Sequence, residues 1–150
     1  MMRDDPWLAE RLNQIWHMLF PEVERQNNVV IRFKGKWKNK FGHIKRLKNQ
    51  DTEIVVNSLF KNDTVPEYII DTTIAHELTH YSHGFQSPLP KKYNHPHAGG
   101  IVRRELMRRG FGHMVAKEKY FVRKEWPRIF KELCPEKTYA RKRVFRFSFF

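Results

Sequence analysis

Ile74-Ala75-His76-Glu77-Leu78-Thr79-His80-Tyr81-Ser82-His83-Gly84 sets three histidines and one glutamate in an otherwise apolar, helix-like run. Just upstream, Asn62-Asp63-Thr64-Val65-Pro66-Glu67 is a helix-start signal, with proline near the first helical position and an acid in the first turn. Gly84 suits a left-handed cap. The spacing predicts a helix from about Glu67 to His83. On it, His76-Glu77-Leu78-Thr79-His80 matches the H-E-x-x-H pattern. Each residue turns a helix by about 100°, so His76 and His80 share a face and can donate imidazole nitrogens to one Zn²⁺. Two imidazoles and a third protein ligand leave one tetrahedral position for water. Glu77, beside that position, can take the water's proton and hand it to a leaving amine. The plainer alternative is that these histidines pack a helix. Ile70, Ile74, Leu78 and Tyr81 already supply a core-facing stripe, so packing does not need them.

The third ligand is open on spacing alone. His83 follows His80 by three residues, close to the same face but at the helix end. His95 and His97 lie in Tyr93-Asn94-His95-Pro96-His97-Ala98-Gly99-Gly100-Ile101, at the mouth of a further helix, and a ligand there would close over the first helix from outside.

Around this centre the chain reads as α+β. Leu8, Leu12, Ile15, Trp16 and Leu19 recur at helical spacing between Pro6 and Phe20, with Pro21 as the stop. Val29–Phe33, Gly42–Leu47 and Glu53–Asn57 are β-rich, with Asn49-Gln50-Asp51 as a turn and Lys36-Trp37-Lys38 as a continuation of the first run beyond Gly35. They predict a small antiparallel sheet. Gln86 to Pro96 reads as loop, and a helix from about Gly99 is closed by Gly110 and Gly112. Tyr120 to Cys134 fits either helix or strand, broken at Pro127. Arg143 to Phe150 alternates basic and aromatic residues as a strand would.

At 150 residues, 40% hydrophobic and 30% charged, the composition is that of one globular domain. No apolar run is long enough to span a membrane. The acidic start, Met1 to Trp7, argues against a secretory signal. Cys134 is the only cysteine, which excludes an intramolecular disulfide or a paired-cysteine zinc ribbon and suits a small buried hydrophobe. A cytoplasmic or nucleoid (nuclear) setting and a monomer are expected.

The order of an N-terminal helix, a short sheet, a helix bearing His76-Glu77-x-x-His80, a loop, and a histidine opening another helix resembles the SprT-like zinc metalloproteases, the group of Spartan and the bacterial SprT proteins. The resemblance covers about Pro6 to Pro127. It implies a zincin-like arrangement, Zn²⁺ as cofactor, and endopeptidase action on proteins bound to or crosslinked on DNA. The family's third ligand lies in a pattern H-G-x-x-F. The best match, His97-Ala98-Gly99-Gly100-Ile101, gives that role to His97, with His95 and then His83 as alternatives, and Ala98 departs from the usual glycine. Residues 1–127 then form the metalloprotease domain and 128–150 a basic aromatic segment packed on it.

Charge adds a second theme. Twenty-nine Lys and Arg against sixteen Asp and Glu give a formal +13, which draws polyanions at long range. Between Glu24 and Asp51 no acid occurs, while Arg32, Lys34, Lys36, Lys38, Lys40, Lys45 and Arg46 interleave with Phe33, Trp37 and Phe41. Such a stretch is either a solvated edge strand or a cationic groove with an aromatic platform for unpaired bases. Arg103 and Arg104 add charge near the histidines, and Arg141-Lys142-Arg143 near the end. Contacts of this kind give sequence-indifferent DNA binding, including single strands. Two other readings remain: a nucleic-acid-binding protein whose zinc site is structural or inactive, and a general zincin peptidase without a DNA link.

Overall fold

Thr52–Val56 is buried at every position, which sends this strand to the middle of the sheet. The computed structural model describes residues 2–138. Its sheet has three strands: β1 (Val29–Phe33), β2 (Gly42–Arg46) and β3 (Thr52–Val56), in the order β1-β3-β2. β2 and β3 form the expected antiparallel pair, with Ile44 opposite Ile54. β1, however, runs parallel to β3, with Ile31 opposite Ile54. The all-antiparallel expectation is therefore corrected: the sheet is mixed. The reason lies in burial. β1 alternates buried and exposed residues, a pattern suited to an edge, whereas β3 has no face that tolerates water. The 34–41 segment carries the chain away from β1 and lets β3 insert between β1 and β2. Lys36-Trp37-Lys38 accordingly forms a loop rather than more strand.

Helix α1 (Asp5–Leu19) is capped by Asp4, whose side chain accepts from the Trp7 amide, and buries Leu8, Leu12, Ile15, Trp16 and Leu19. A short 3-10 turn (Ser58–Lys61) leads to α2 (Glu67–Ser82), which is buried along nearly its whole length. Gly84 takes the left-handed conformation (φ 77°), with the Pro90 and Leu89 backbone packed where a Cβ would stand. α3 spans Ile101–Arg108 and α4 Gly112–Lys124, so Gly110 ends one helix while Gly112 begins the next. The ambiguous 120–134 region is helical: the chain turns at Glu125 into α5 (Trp126–Leu133), where Pro127 occupies a first-turn position that needs no amide. A one-turn α6 (Pro135–Thr138) follows. α5 runs across the 127/128 boundary, and Trp126, Ile129, Phe130 and Cys134 join the same core as α1, α2 and the sheet. The strand-like Arg143–Phe150 and the basic Arg141–Arg143 lie outside the described residues.

Aromatic rings concentrate around Trp126 at the start of α5. Phe41, Phe60 and Trp126 stack edge-on at 4.7–5.5 Å. No helix of the described residues is long and apolar enough to cross a membrane.

Candidate metal centre

Ile70, Ile74, Leu78 and Tyr81 fill the core side of α2, each almost fully buried. That leaves Glu77 against β2 and His80 against the loop after α2. Nε2 of His76 and Nε2 of His80 stand 3.2 Å apart. A tetrahedral zinc with nitrogens at ~2.0–2.1 Å holds neighbouring ligand nitrogens about 3.3 Å apart, so the pair is already spaced for one ion. The same distance suits an N–H···N bond between neutral rings, which keeps the pair preformed. Burial drives both imidazoles to the neutral form that donates a lone pair: His76 lies well below the ordinary histidine value, and His80 is lowered to about 3. His97 stands beside them on the exposed loop, its ring edge-on to His80 at 4.5 Å and to Phe85 at 5.2 Å. Its charge would act on both His76 and His80. Among the described residues no three His, Cys, Asp or Glu side chains form a ready donor set. The centre is a preformed pair with a third imidazole next to it.

Glu77 is fully buried, and neither of its carboxylate oxygens has a hydrogen-bond partner among the described residues. Burial raises its pKa to about 8, with Lys40 pulling the other way. Gly42 of β2 makes room for it. A Cβ there would come within 2.7 Å of Thr73 Cγ2 and the Val55 carbonyl, and 3.5 Å from Glu77 Oε2. An unpaired buried carboxyl is costly to a fold. A divalent cation on the adjacent histidines would reverse that cost by stabilising the charged form. Both features fit a metal.

The other histidines have different engagements. His83 donates from Nε2 to Glu105 Oε1 at 2.9 Å, since the carboxylate can only accept, and stacks on Tyr93. Burial lowers His83 despite that bond. Glu105 also accepts from Arg108 and Arg109, at 2.5 and 3.1 Å, tying α2 to α3. His95 is exposed, and its carbonyl accepts from the Ala98 amide.

The basic candidates divide. Lys34, Lys40 and Lys45 act together on His43 of β2, which burial, then Lys40, lowers to about 4. Lys36, Trp37, Lys38 and Lys40 share one cavity. Arg32 is paired with Glu53 at 2.5 Å, and Arg46 donates to the Gln50 carbonyl at 2.8 Å. Arg103 and Arg104 sit apart, exposed on α3, with Arg104 bonded to the Gly99 carbonyl. Sequence reasoning missed Gly42, His43, Glu105, Phe130 and Lys137. All five act through contacts distant in sequence, and no local pattern marks them.

No family model, curated protein or solved structure matches this chain.

Proposed function

We propose that the protein is a zinc-dependent endopeptidase of SprT-like type, acting on DNA-associated or DNA-crosslinked proteins in a reducing compartment. The observation that carries this reading is the pairing of two neutral imidazoles, Nε2 to Nε2 at 3.2 Å, with a buried carboxyl one residue away that has no hydrogen-bond partner among the described residues. A purely structural zinc site has no use for such a carboxyl. His76 and His80 would hold the ion, and His97, already against His80, would turn its ring to complete the set. Zinc supplies Lewis acidity, making water a usable nucleophile near neutral pH and polarising a carbonyl. Glu77 accepts the water's proton on a carboxylate oxygen and delivers it to the departing amine nitrogen. β2, the sheet edge beside α2, offers backbone along which an extended chain can align past Glu77. The resemblance and the formal +13 support the choice of DNA-linked substrates.

Metal analysis and a protease assay test the reading together. The purified protein is expected to carry about one zinc per chain, lost in His76→Ala and His80→Ala. Zinc retention in His97→Ala, His95→Ala and His83→Ala ranks the third ligand, with His97→Ala expected to lose most. Glu77→Gln is expected to keep the metal and lose cleavage by a factor of about 10² or more. A zinc-free native protein, or a Glu77→Gln variant that still cleaves, would overturn it.

A further inference from the structure

Where α2 ends, the chain closes in a Schellman motif. Gly84 is left-handed at φ 77°, its amide donates to the Tyr81 carbonyl at 3.1 Å, and the Phe85 amide donates to the His80 carbonyl at 2.9 Å. Such a motif lays its last side chain on the final turn of the helix, and the Phe85 ring accordingly rests 5.3 Å from the His80 ring. Here the ring reaches further, to His97 edge-on at 5.2 Å. His97 rides on a surface segment, since no residue from Pro90 to Gly100 is buried. Phe85 and His80 are two walls between which its imidazole stands.

The residue after Phe85 is strained. Gln86 has φ 56°, a left-handed conformation that a β-carbon disfavours. Gln50, also left-handed, sits in the turn between β2 and β3, where positive φ is ordinary. Gln86 lies in no hairpin. Its Oε1 accepts from the Arg46 amide at the end of β2, at 2.6 Å, and its carbonyl accepts from Thr52 Oγ1 at the start of β3, at 2.8 Å. Asn27 Nδ2 donates to the same Thr52 oxygen at 2.9 Å, which directs that hydroxyl onto Gln86. Glycine would take this φ freely but has no side chain to reach Arg46, so the position uses the amide at the expense of the backbone. Strain of this kind persists where its surroundings over-determine it, and it gathers at functional sites.

We infer that Gln86 is a positioning residue for the metal centre: pinned to the ends of β2 and β3, it holds the Phe85 ring as the wall that sets His97 toward His76 and His80. The inference rests on the zinc reading above and extends it to two residues that supply no atom to the ion. A helix cap alone accounts for Phe85 on His80. It does not account for the strained anchor that follows, or for the contact with a ligand on a separate segment.

Zinc affinity of the full chain, measured by competition with a chromophoric chelator, tests this beside urea unfolding of the same variants. Phe85→Ala is expected to weaken zinc binding about 10- to 100-fold, the usual effect of losing a group that orients a ligand. Phe85→Tyr keeps the ring and should stay near the wild type. Phe85→Leu keeps apolar bulk at the helix end, so it should fold, and it should still bind zinc more weakly. Gln86→Ala should lose about tenfold. Because Gln86 acts through the ring, Phe85→Ala with Gln86→Ala should match Phe85→Ala alone to within about twofold. Ser87→Ala is the structural control: it removes the bond from Ser87 Oγ to the Tyr81 carbonyl, 2.8 Å long, in the same turn. It should lower the urea midpoint and leave zinc affinity unchanged. Unchanged affinity in Phe85→Leu and Gln86→Ala, losses that multiply in the double variant, or an equal loss in Ser87→Ala would overturn the assignment. A wild type that takes up no zinc removes this inference and the protease reading together. Zinc bound without cleavage sinks the protease reading alone, and cleavage with zinc affinity indifferent to both residues sinks this inference alone.

Discussion

Gly42 shows how one residue sets the centre. Its backbone passes so close to α2 that an added Cβ would lie 2.7 Å from both the Val55 carbonyl and Thr73 Cγ2, closer than packed atoms approach. Neither neighbour yields easily, one being backbone of the central strand and the other a γ-methyl of a fully buried threonine. Gly42→Ala is therefore expected to cost about 1–3 kcal/mol, read as a lower denaturation midpoint in urea. Because the same Cβ would stand near Glu77 Oε2, the proposed cleavage should fall more than stability alone explains. A variant as stable and active as the wild type would show that β2 shifts outward freely, and would remove the claim that it fixes the carboxyl.

At the scale of elements, α4 meets α2 at Glu118, a buried carboxyl that Thr72 pulls toward its charged form and whose Oε2 has no partner among the described residues. Burial lifts its pKa from 4.5 to about 7. The folded chain thus binds this proton more tightly than the unfolded one. Its contribution is most favourable below pH 4.5 and is lost as pH rises through 7. Glu118→Gln should therefore gain about 1–3 kcal/mol on the wild type above pH 7, and little near pH 4.5. The lowered histidines His43, His76, His80 and His83 act in the opposite direction, because they stay neutral when folded and take up protons when unfolded. The difference between variant and wild type in urea titrations across that window isolates Glu118, and a constant difference would show that the carboxyl is solvated. Helices such as α1 and α2 were readable from the chain because period, caps and prolines are local signals. The parallel β1–β3 pairing was not, since it depends on β3 being dry on both faces. His76, Glu77 and His80 were readable for the same local reason, as they share one helix. The partnership of His83 with Glu105 was not, because it joins two helices across a loop.

For the molecule as a whole, two electrostatic effects oppose each other, and salt decides between them. An excess of thirteen positive charges strains the compact state by self-repulsion, which added salt relieves. Ion pairs pull the other way, and salt weakens those that are exposed. Arg128–Glu132 is of that kind, and such a pair contributes at most about 1 kcal/mol. The stronger pairs are sheltered. Arg11 meets both oxygens of Asp71 at 2.6 Å, and Glu105 is buried between His83, Arg108 and Arg109. Screening reaches sheltered pairs poorly, so relief of repulsion should dominate. The melting temperature is expected to rise by a few degrees between about 50 and 200 mM salt, over which the Debye length falls from roughly 14 to 7 Å. Calorimetry in sodium chloride measures it. Lys36→Glu with Lys38→Glu, which removes four units of net charge from one loop, should begin at a higher melting temperature and respond less. A melting temperature that fell with salt would show that ion pairing outweighs repulsion, and that the excess charge is spread too widely for its density to govern stability.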